Sequence, residues 1–181
     1  MPEILRGEKV YLKKGLEEAD YPLILRGYTD LEVINYVSFA LETVKFKTVQ
    51  EAKEFTLEVE GQIIFGIYTP EDAFIGYTTL SEFDGKDECE FSIFILDNNY
   101  WGKGIGLEVT RIMLAYAFDK LGMRKVVLYT SEYHERAIGL YKKVGFQEKR
   151  MIPNDRVIFK NEGWLLSGTI LMEIKSKDFI K

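Results

Sequence analysis

Three glycines at every second position, Gly102, Gly104 and Gly106, are the residues with the clearest chemical meaning in the chain. Glycine lets the backbone approach a ligand closely and lets several N–H groups point in one direction. An apolar alternating run (Glu90 to Leu96) precedes them, and an amphipathic helical pattern follows, whose N-terminus adds partial positive charge. Together these features predict a site for a phosphate or a diphosphate.

The spacing of the glycines excludes two common nucleotide loops. A dinucleotide fingerprint needs a third glycine at position 107, where this chain has Leu107. A P-loop needs Gly-Lys-Ser/Thr after four intervening residues, and this run is absent. An isolated Gly-x-Gly-x-Gly run also fits a simple tight turn, so the context must decide between these interpretations.

Two carboxylates stand just before the glycine run. Glu88 and Glu90 are separated by one residue, so in a strand both side chains project from the same face of the sheet. From there they could deprotonate an amine or attract a cationic substrate. A solvated strand face near a sheet edge explains the same spacing equally well.

A second motif supplies the context. Residues 134–146, His-Glu-Arg-Ala-Ile-Gly-Leu-Tyr-Lys-Lys-Val-Gly-Phe, closely resemble the Asn-x-x-Ala-x-x-Leu-Tyr-x-Lys-x-Gly-Phe signature of GNAT-fold N-acetyltransferases. Residues 101–106 resemble the family's acetyl-coenzyme A pyrophosphate loop, whose general form is Gln/Arg-x-x-Gly-x-Gly/Ala. The resemblance is sharp from about Glu88 to Phe146. It is most like the branch of ribosomal-protein alanine and spermidine acetyltransferases.

The resemblance implies an enzyme that transfers the acetyl group of acetyl-coenzyme A directly to a primary amine in a ternary complex, without a metal. Trp101 replaces the usual Gln or Arg, and His134 replaces an Asn that bonds the pantetheine arm, unless His134 is only a helix cap. Lys103 adds charge near the pyrophosphate or is a solvated loop lysine. The positions assigned to acetyl-coenzyme A are Ile95, Leu96, Trp101, Gly102, Lys103, Gly104, Ile105, Gly106, His134 and Tyr141.

Acetyl transfer to an amine needs a base, because a lysine-type amine has a pKa of about 10.4 and is therefore protonated at neutral pH. It also needs an acid for the leaving thiolate. The resemblance makes Tyr141 the general acid, although a tyrosine in register with an apolar helical face is more often a core residue. It makes Glu90 the base, with Glu88 or a water relay as the open alternatives.

Composition limits the remaining function classes. The net charge of -5 argues against a nucleic-acid partner, which would need clustered Lys and Arg. No apolar run approaches the ~20 residues of a membrane-spanning helix. Cys89 is the only cysteine, which excludes an internal disulfide and fits a cytoplasmic protein. A chain of 181 residues without linkers or repeats predicts a single domain, residues 1–181, and relatives in the family are often homodimers.

The acceptor stays open between a protein N-terminus and a small amine or polyamine. Net acidity slightly favours a polyamine, and the resemblance slightly favours a protein N-terminus. The alternative to an enzyme is a non-catalytic coenzyme A-binding sensor or assembly module, which would need neither Tyr141 nor Glu90. An unrelated nucleotide-binding enzyme is a weaker third possibility.

The fold class predicted is α/β (α+β), a GNAT fold whose mixed, mostly antiparallel sheet is flanked by helices. Residue periodicity and turn signals give the elements. The predicted strands are Lys9–Lys13, Gln62–Thr69, Ala73–Phe83, Cys89–Leu96, Lys125–Thr130, Asp155–Lys160 and Thr169–Ile174. The predicted helices are Glu17–Gly27, Asp30–Val37, Thr48–Val59 with a capping box, one after the glycines, and one that carries Ala137, Leu140, Tyr141 and Val144.

Overall fold

The computed structural model describes residues 2–180, which form one eight-stranded sheet with helices on both faces. The strands are β1 (Ile4–Arg6), β2 (Tyr11–Lys14), β3 (Ile63–Tyr68), β4 (Phe74–Ser81), β5 (Glu88–Ile95), β6 (Lys125–Ser131), β7 (Gln147–Lys160) and β8 (Gly163–Lys175). The helices are α1 (Tyr21–Thr29), α2 (Ala40–Thr43), α3 (Val49–Thr56), α4 (Ile105–Ala115) and α5 (Glu135–Val144). A π-helical turn, Tyr116–Lys120, extends α4.

The strand order in the sheet is β1-β2-β3-β4-β5-β6-β8-β7, and every neighbouring pair is antiparallel except β5 with β6. Helix α4 makes the crossover between these two parallel strands, as a parallel connection requires. The predicted fold class is therefore confirmed.

Each face of the sheet carries its own hydrophobic core. One core lies beneath α4 and α5, and Val109, Met113 and Leu114 of α4 are completely buried in it. Gly106 allows these two helices to pack closely, since a Cβ there would lie 2.9 Å from Leu140 Cδ1. The other core lies beneath α1 and α3 and is strongly aromatic, with Tyr28 at its centre.

Helix α3 begins as its sequence predicts. Thr48 Oγ1 accepts a hydrogen bond from the Glu51 backbone N–H at 3.2 Å, and Glu51 Oε2 accepts one from the Thr48 N–H at 2.8 Å. These reciprocal bonds form the predicted capping box and satisfy two backbone donors. The helix ends at Thr56, three residues earlier than the predicted Val59.

The prediction of a helix over Asp30–Val37 is wrong, because that segment is a series of turns. Asp30 Oδ1 accepts a hydrogen bond from the Glu32 N–H at 2.9 Å, as in an Asx turn. Tyr36 has φ 68°, and its N–H donates to Phe159 O on β7 at 3.4 Å. Three β-branched residues and an Asn lower the helix propensity here, so contacts with β7 determine the conformation.

Differences at strand ends are smaller. The short edge strand β1 was not predicted, because three residues are too few for a period to be recognised. Strand β7 begins at Gln147 rather than at the predicted Asp155. A bulge between Ile152 and Arg156 interrupts the alternation of apolar and polar side chains by which the strand would be recognised. No helix within residues 2–180 is long and apolar enough to cross a membrane.

Candidate active site

The sheet opens between β5 and β6. The two parallel strands pair only at Glu88 with Lys125, Cys89 with Val126 and Glu90 with Val127. Beyond this point β5 continues beside β4 as far as Ile95, and β6 continues beside β8 as far as Ser131. The facing edges of β5 and β6 therefore present unpaired backbone groups to a wedge-shaped gap, which an extended ligand can fill.

The glycine loop lies at the mouth of this gap. Gly102 and Gly104 have φ values of 74° and 81°, which favour glycine, and Gly106 lies in the first turn of α4. Within the described chain no group accepts a hydrogen bond from the backbone N–H groups of residues 102–107. These N–H groups at a helix N-terminus are suited to hold the oxygens of a diphosphate. Ile105 contributes through its backbone, because its side chain is buried in the core.

Ile95 and Leu96 lie where β5 meets this loop, and both already make backbone contacts. Ile95 O accepts a hydrogen bond from Trp101 Nε1 at 2.9 Å, and the Leu96 N–H donates to Ile75 O at 2.9 Å. The indole of Trp101 thus ties the loop to the last residue of β5. Trp101 fixes the loop position, a role that does not require the Gln or Arg of the wider family.

His134 lies at the N-terminus of α5 but makes no capping hydrogen bond. Its ring stacks on Tyr36 from the turn segment, with centroids 4.8 Å apart and planes 22° apart. Burial lowers the pKa of His134 to about 4, and the nearby charge of Arg136 adds to this shift. The imidazole is therefore neutral near pH 7 and can both donate and accept a hydrogen bond.

The surroundings of Tyr141 are compatible with both interpretations of its sequence position. Its ring packs edge-on against Phe91 of β5 and against Phe146, with centroid distances of 6.5 and 5.7 Å. Its hydroxyl makes no hydrogen bond to any group within residues 2–180, so the phenol is held by core contacts while its proton has no protein acceptor. Burial raises the pKa of Tyr141 to about 12, which keeps the hydroxyl protonated at physiological pH.

The two predicted carboxylates have different surroundings. Glu88 forms an ion pair with Lys125, its partner in the register of β6. Glu90 has no ion pair within the described residues, and burial raises its pKa, with a further increase from Glu82 and an opposing effect from Arg156. A carboxylate with a raised pKa and no fixed partner is the better candidate for a base.

Tyr141 and Glu90 approach the gap from opposite faces of the sheet. Cys89 and Phe91 point into the core beneath α4 and α5, where Tyr141 packs. Since side chains alternate along a strand, Glu90 points to the other face. This arrangement can admit one reactant from each face.

Residues 12–147 match the family described as Acetyltransferase (GNAT) domain. The chain belongs to this family. Because the match extends from β2 into the start of β7, it includes both edges of the gap, the glycine loop and Tyr141. The family resemblance of the two sequence motifs is thereby confirmed.

Solved structures with a similar fold include other members of the GNAT family. Spermidine N-acetyltransferase from Vibrio cholerae, crystallised with CoA and spermine, superposes with a TM-score of 0.82 at 20% identity, covering 97% of this chain and 100% of that one. A GNAT-family acetyltransferase from Bacillus anthracis gives a TM-score of 0.77 at 15% identity, covering 97% and 99%. At these identities the likeness concerns the fold.

A curated relative is similar over a shorter segment. Spermidine N(1)-acetyltransferase of Escherichia coli K12 is 35% identical over 58 residues, which is 32% of this chain and 31% of that protein. The match thus spans about a third of the length of the curated relative.

Two cations beside the glycine loop, Lys9 and Arg136, were not among the residues predicted from the sequence. Lys9 Nζ donates to Lys103 O at 2.8 Å, and the Arg136 guanidinium lies 5.5 Å from the centroid of the Trp101 ring. Lys103 itself lies 5.3 Å from the ring centroid of Tyr100. Arg136 could have been found, because it lies within the second motif. Lys9 could not, since the fold alone brings it to the loop.

Proposed function

We propose that this protein transfers the acetyl group of acetyl-coenzyme A to a primary amine by direct transfer in a ternary complex. The observation that carries the proposal is the gap between β5 and β6, with the free N–H groups of residues 102–107 at its mouth and the unpartnered Tyr141 hydroxyl beside it. Membership of the GNAT family supports the same reaction. Coenzyme A is bound in the structure of the Vibrio cholerae relative.

In this proposal the backbone holds the acyl carrier. The N–H groups of residues 102–107 bind the diphosphate, and Lys9, Lys103 and Arg136 add positive charge around it. The pantetheine arm extends into the gap between the strands, beside Ile95. The neutral ring of His134 lies at the end of α5 that faces this arm, where the family usually has Asn.

The chemical step uses one proton donor and one proton acceptor. The amine nitrogen attacks the thioester carbon, the C–S bond breaks, and the electron pair leaves with the sulfur. Tyr141 donates its proton to that sulfur, since sulfur leaves more readily as a neutral thiol than as a thiolate anion. The proton of the amine passes to Glu90, directly or through a water molecule, and the ion pair of Glu88 with Lys125 supports Glu90 over Glu88 in this role.

We propose a small-molecule acceptor rather than a protein N-terminus. The two relatives named for an acceptor act on spermidine, a small amine. Glu90 and the neighbouring Glu82 supply negative charge for the ammonium form of the amine. A non-catalytic coenzyme A-binding module would need neither the Tyr141 hydroxyl nor a carboxylate with a raised pKa.

Assembly and location belong to the same proposal. Exposed apolar side chains on β7 and β8, Met151, Trp164 and Leu166, support a homodimer. A cytoplasmic location is supported by the single cysteine, Cys89, which is buried, with its pKa raised to about 12 chiefly by burial. Such a thiol is unreactive and gives no disulfide.

The test is release of free coenzyme A from acetyl-coenzyme A in the presence of a panel of primary amines. We expect amine-dependent thiol release and a product heavier than the amine by one acetyl group. Titration of coenzyme A by calorimetry provides the control for binding. Tight binding without turnover on any amine would contradict the proposal and favour the non-catalytic module.

A further inference from the structure

Arg156 has surroundings that no other arginine of the chain shares. Of the seven arginines, it alone is partly buried, and the other six are exposed. Its Nε donates to Thr169 Oγ1 at 2.6 Å. Within residues 2–180 no carboxylate lies within ion-pair distance of its guanidinium, and no group accepts from its two terminal nitrogens. A partly buried cation therefore has donors available.

A bulge in β7 places this side chain. Ile152 is opposite Thr169 on β8, but the next paired residue is Arg156, opposite Ser167, so three residues of β7 lie opposite the single Gly168 of β8. Asn154, within the bulge, has φ 50°. Bulges of this kind redirect side chains and are frequent near functional sites.

The bulge is held by hydrogen bonds that leave the guanidinium fork free. The hydroxyl of Thr169 donates its only proton to Asp155 Oδ2 at 2.6 Å, so its oxygen accepts from Arg156 Nε. Asp155 is thereby bonded to Thr169 instead of the guanidinium. The two terminal NH2 groups of Arg156 remain available for a planar anion.

Arg156 and Glu90 lie on the same face of the sheet. Residues opposite each other in neighbouring strands share a face of the sheet, so Glu90 lies on the same face as Val127 of β6. Ser131, four residues further along β6, is on that face too, and it is opposite Thr169, which holds Arg156. The two charges act on each other, because Arg156 lowers the pKa of Glu90 and Glu90 raises that of Arg156.

An exposed ring lies between these two charges. Tyr129 is midway between Val127 and Ser131 on β6, so its side chain is on the same face. It is 45% exposed, although Val127 and Ser131 on either side of it are buried. The face thus offers a carboxylate near the gap, an uncovered aromatic ring, and a guanidinium beyond it.

A cation withdrawn from water without an ion-pair partner costs free energy, and burial lowers the pKa of Arg156 accordingly. A bound anion would offset this cost, whereas a second ammonium group would be repelled. At the other end of the face, Glu90 and Glu82 are suited to a single ammonium. The charges are complementary to a zwitterion and not to a polycation.

We propose that the acetyl acceptor is a small amine that also carries a carboxylate, with its amine at Glu90 and its carboxylate on the Arg156 fork. This inference rests on the proposed acetyl transfer and names the acceptor class of that reaction. It separates this protein from its spermidine-acetylating relatives. Arg156 is a specificity-determining residue in this arrangement.

The experiment compares three acceptor series of equal chain length: amino carboxylates, amino alcohols and diamines. Rates are measured with wild-type protein, Arg156→Gln and Arg156→Lys, at a pH where activity no longer rises. For the wild type we expect kcat/KM to be highest for an amino carboxylate. In Arg156→Gln this preference should fall roughly 10- to 100-fold, the range for a lost hydrogen bond to a charged group. Arg156→Lys should retain part of it.

The amino alcohols serve as the internal control for folding. Their turnover by Arg156→Gln should stay within about threefold of wild type, because they offer no anion to Arg156. An equal loss for all three series would show a purely structural role and overturn the inference. Preference of the wild type for diamines or spermidine would also overturn it, while leaving acetyl transfer intact. Absence of turnover with every acceptor would instead overturn the proposed function itself.

Discussion

The carrier side and the acceptor side of the gap are built differently. On the proposed carrier side, one continuous stretch, residues 102–107, supplies the free backbone N–H groups, and α5, which packs beside it, follows α4 and β6 in the chain. On the acceptor side, the important groups are side chains from β5, β6 and β7, among them Glu90 and Arg156. Backbone recognition is thus encoded locally, whereas side-chain recognition depends on tertiary structure.

This difference has a consequence for substitution. Side-chain changes in the glycine loop leave the N–H donors in place, which is how Trp101 can stand where the family usually has Gln or Arg. On the acceptor side each side chain is itself the contact, so one substitution can change the acceptor. In the proposed arrangement the carrier is therefore bound by groups that any backbone supplies, and the acceptor is selected by this chain's own side chains.

The largest loss of activity is expected from removal of the Tyr141 hydroxyl, which lies where the carrier side and the acceptor side meet. Tyr141→Phe removes the proton donor and keeps the ring contacts with Phe91 and Phe146. We expect kcat to fall roughly 1,000-fold, within the range for general acid catalysis, while the KM for acetyl-coenzyme A stays within about twofold. Steady-state kinetics with varied acetyl-coenzyme A measures both.

The control is Tyr116→Phe, which removes a hydroxyl from another core tyrosine, the first residue of the π-helical turn that extends α4. The Tyr116 hydroxyl bonds Glu3 Oε2 at 3.2 Å on the far side of the core, so kcat should be unchanged. Equal rates for wild type and Tyr141→Phe would show that Tyr141 serves only as a core residue. The pKa of about 12 also predicts no loss of activity from Tyr141 ionisation below about pH 11.

The conformation of the glycine loop could be predicted from the sequence because its signals are local. The positive φ of Gly102 and Gly104 requires glycine, and the helical period after them is continuous. The same reasoning failed at Asp30–Val37, where a capping residue and apolar spacing were present but contacts with Phe159 and His134 determined the conformation. Such contacts join residues about a hundred positions apart, and no local pattern records them.

The second expected effect lies on the acceptor side. Glu90→Gln removes the proposed base, and we expect kcat/KM for the amine to fall roughly 100-fold, a value typical of general base catalysis. Glu88→Gln is the matched control, because Glu88 is on the same face but is paired with Lys125. Its effect on the rate should be less than about threefold. Equal losses in both variants would show that the sheet edge, and not one carboxylate, determines the rate.

The pH profile sharpens this comparison. Activity requires Glu90 to be deprotonated, so kcat/KM should rise with pH through the Glu90 pKa, which burial places above the ordinary carboxylate range. Glu82→Gln removes a neighbouring negative charge and should move this rise in kcat/KM to lower pH. Arg156→Gln removes a positive charge and should move it to higher pH. Shifts in the same direction would contradict the arrangement of charges around Glu90.

Arg156 shows why the acceptor side could not be predicted. Its position depends on a bulge in β7, on Thr169 thirteen residues later, and on the pairing of β8 with β6. The sequence contains no period or motif at that point, and the strand was predicted to begin only at Asp155. The paired position of Glu88 and Glu90 was predictable, but the Lys125 that distinguishes them becomes visible only in the register of β6.

The smallest expected effect tests whether the carrier side depends on backbone geometry. Gly104→Ala introduces a Cβ at φ 81°, a left-handed conformation that costs an L-residue about 1–2 kcal/mol, and this Cβ would lie 3.0 Å from Lys9 Nζ. We expect the KM for acetyl-coenzyme A to rise about 10-fold with kcat little changed, since diphosphate binding is uniform between ground and transition states.

Gly139→Ala on α5 is the matched control. A Cβ at Gly139 meets nothing within 4 Å, so this variant should gain about 0.5–1 kcal/mol of stability from helix propensity and keep the wild-type KM. Thermal unfolding and steady-state kinetics of the two variants separate loop geometry from general stability. If Gly104→Ala bound acetyl-coenzyme A as tightly as Gly139→Ala, the diphosphate would not depend on these N–H groups, and the contrast between a backbone-built carrier side and a side-chain-built acceptor side would be wrong.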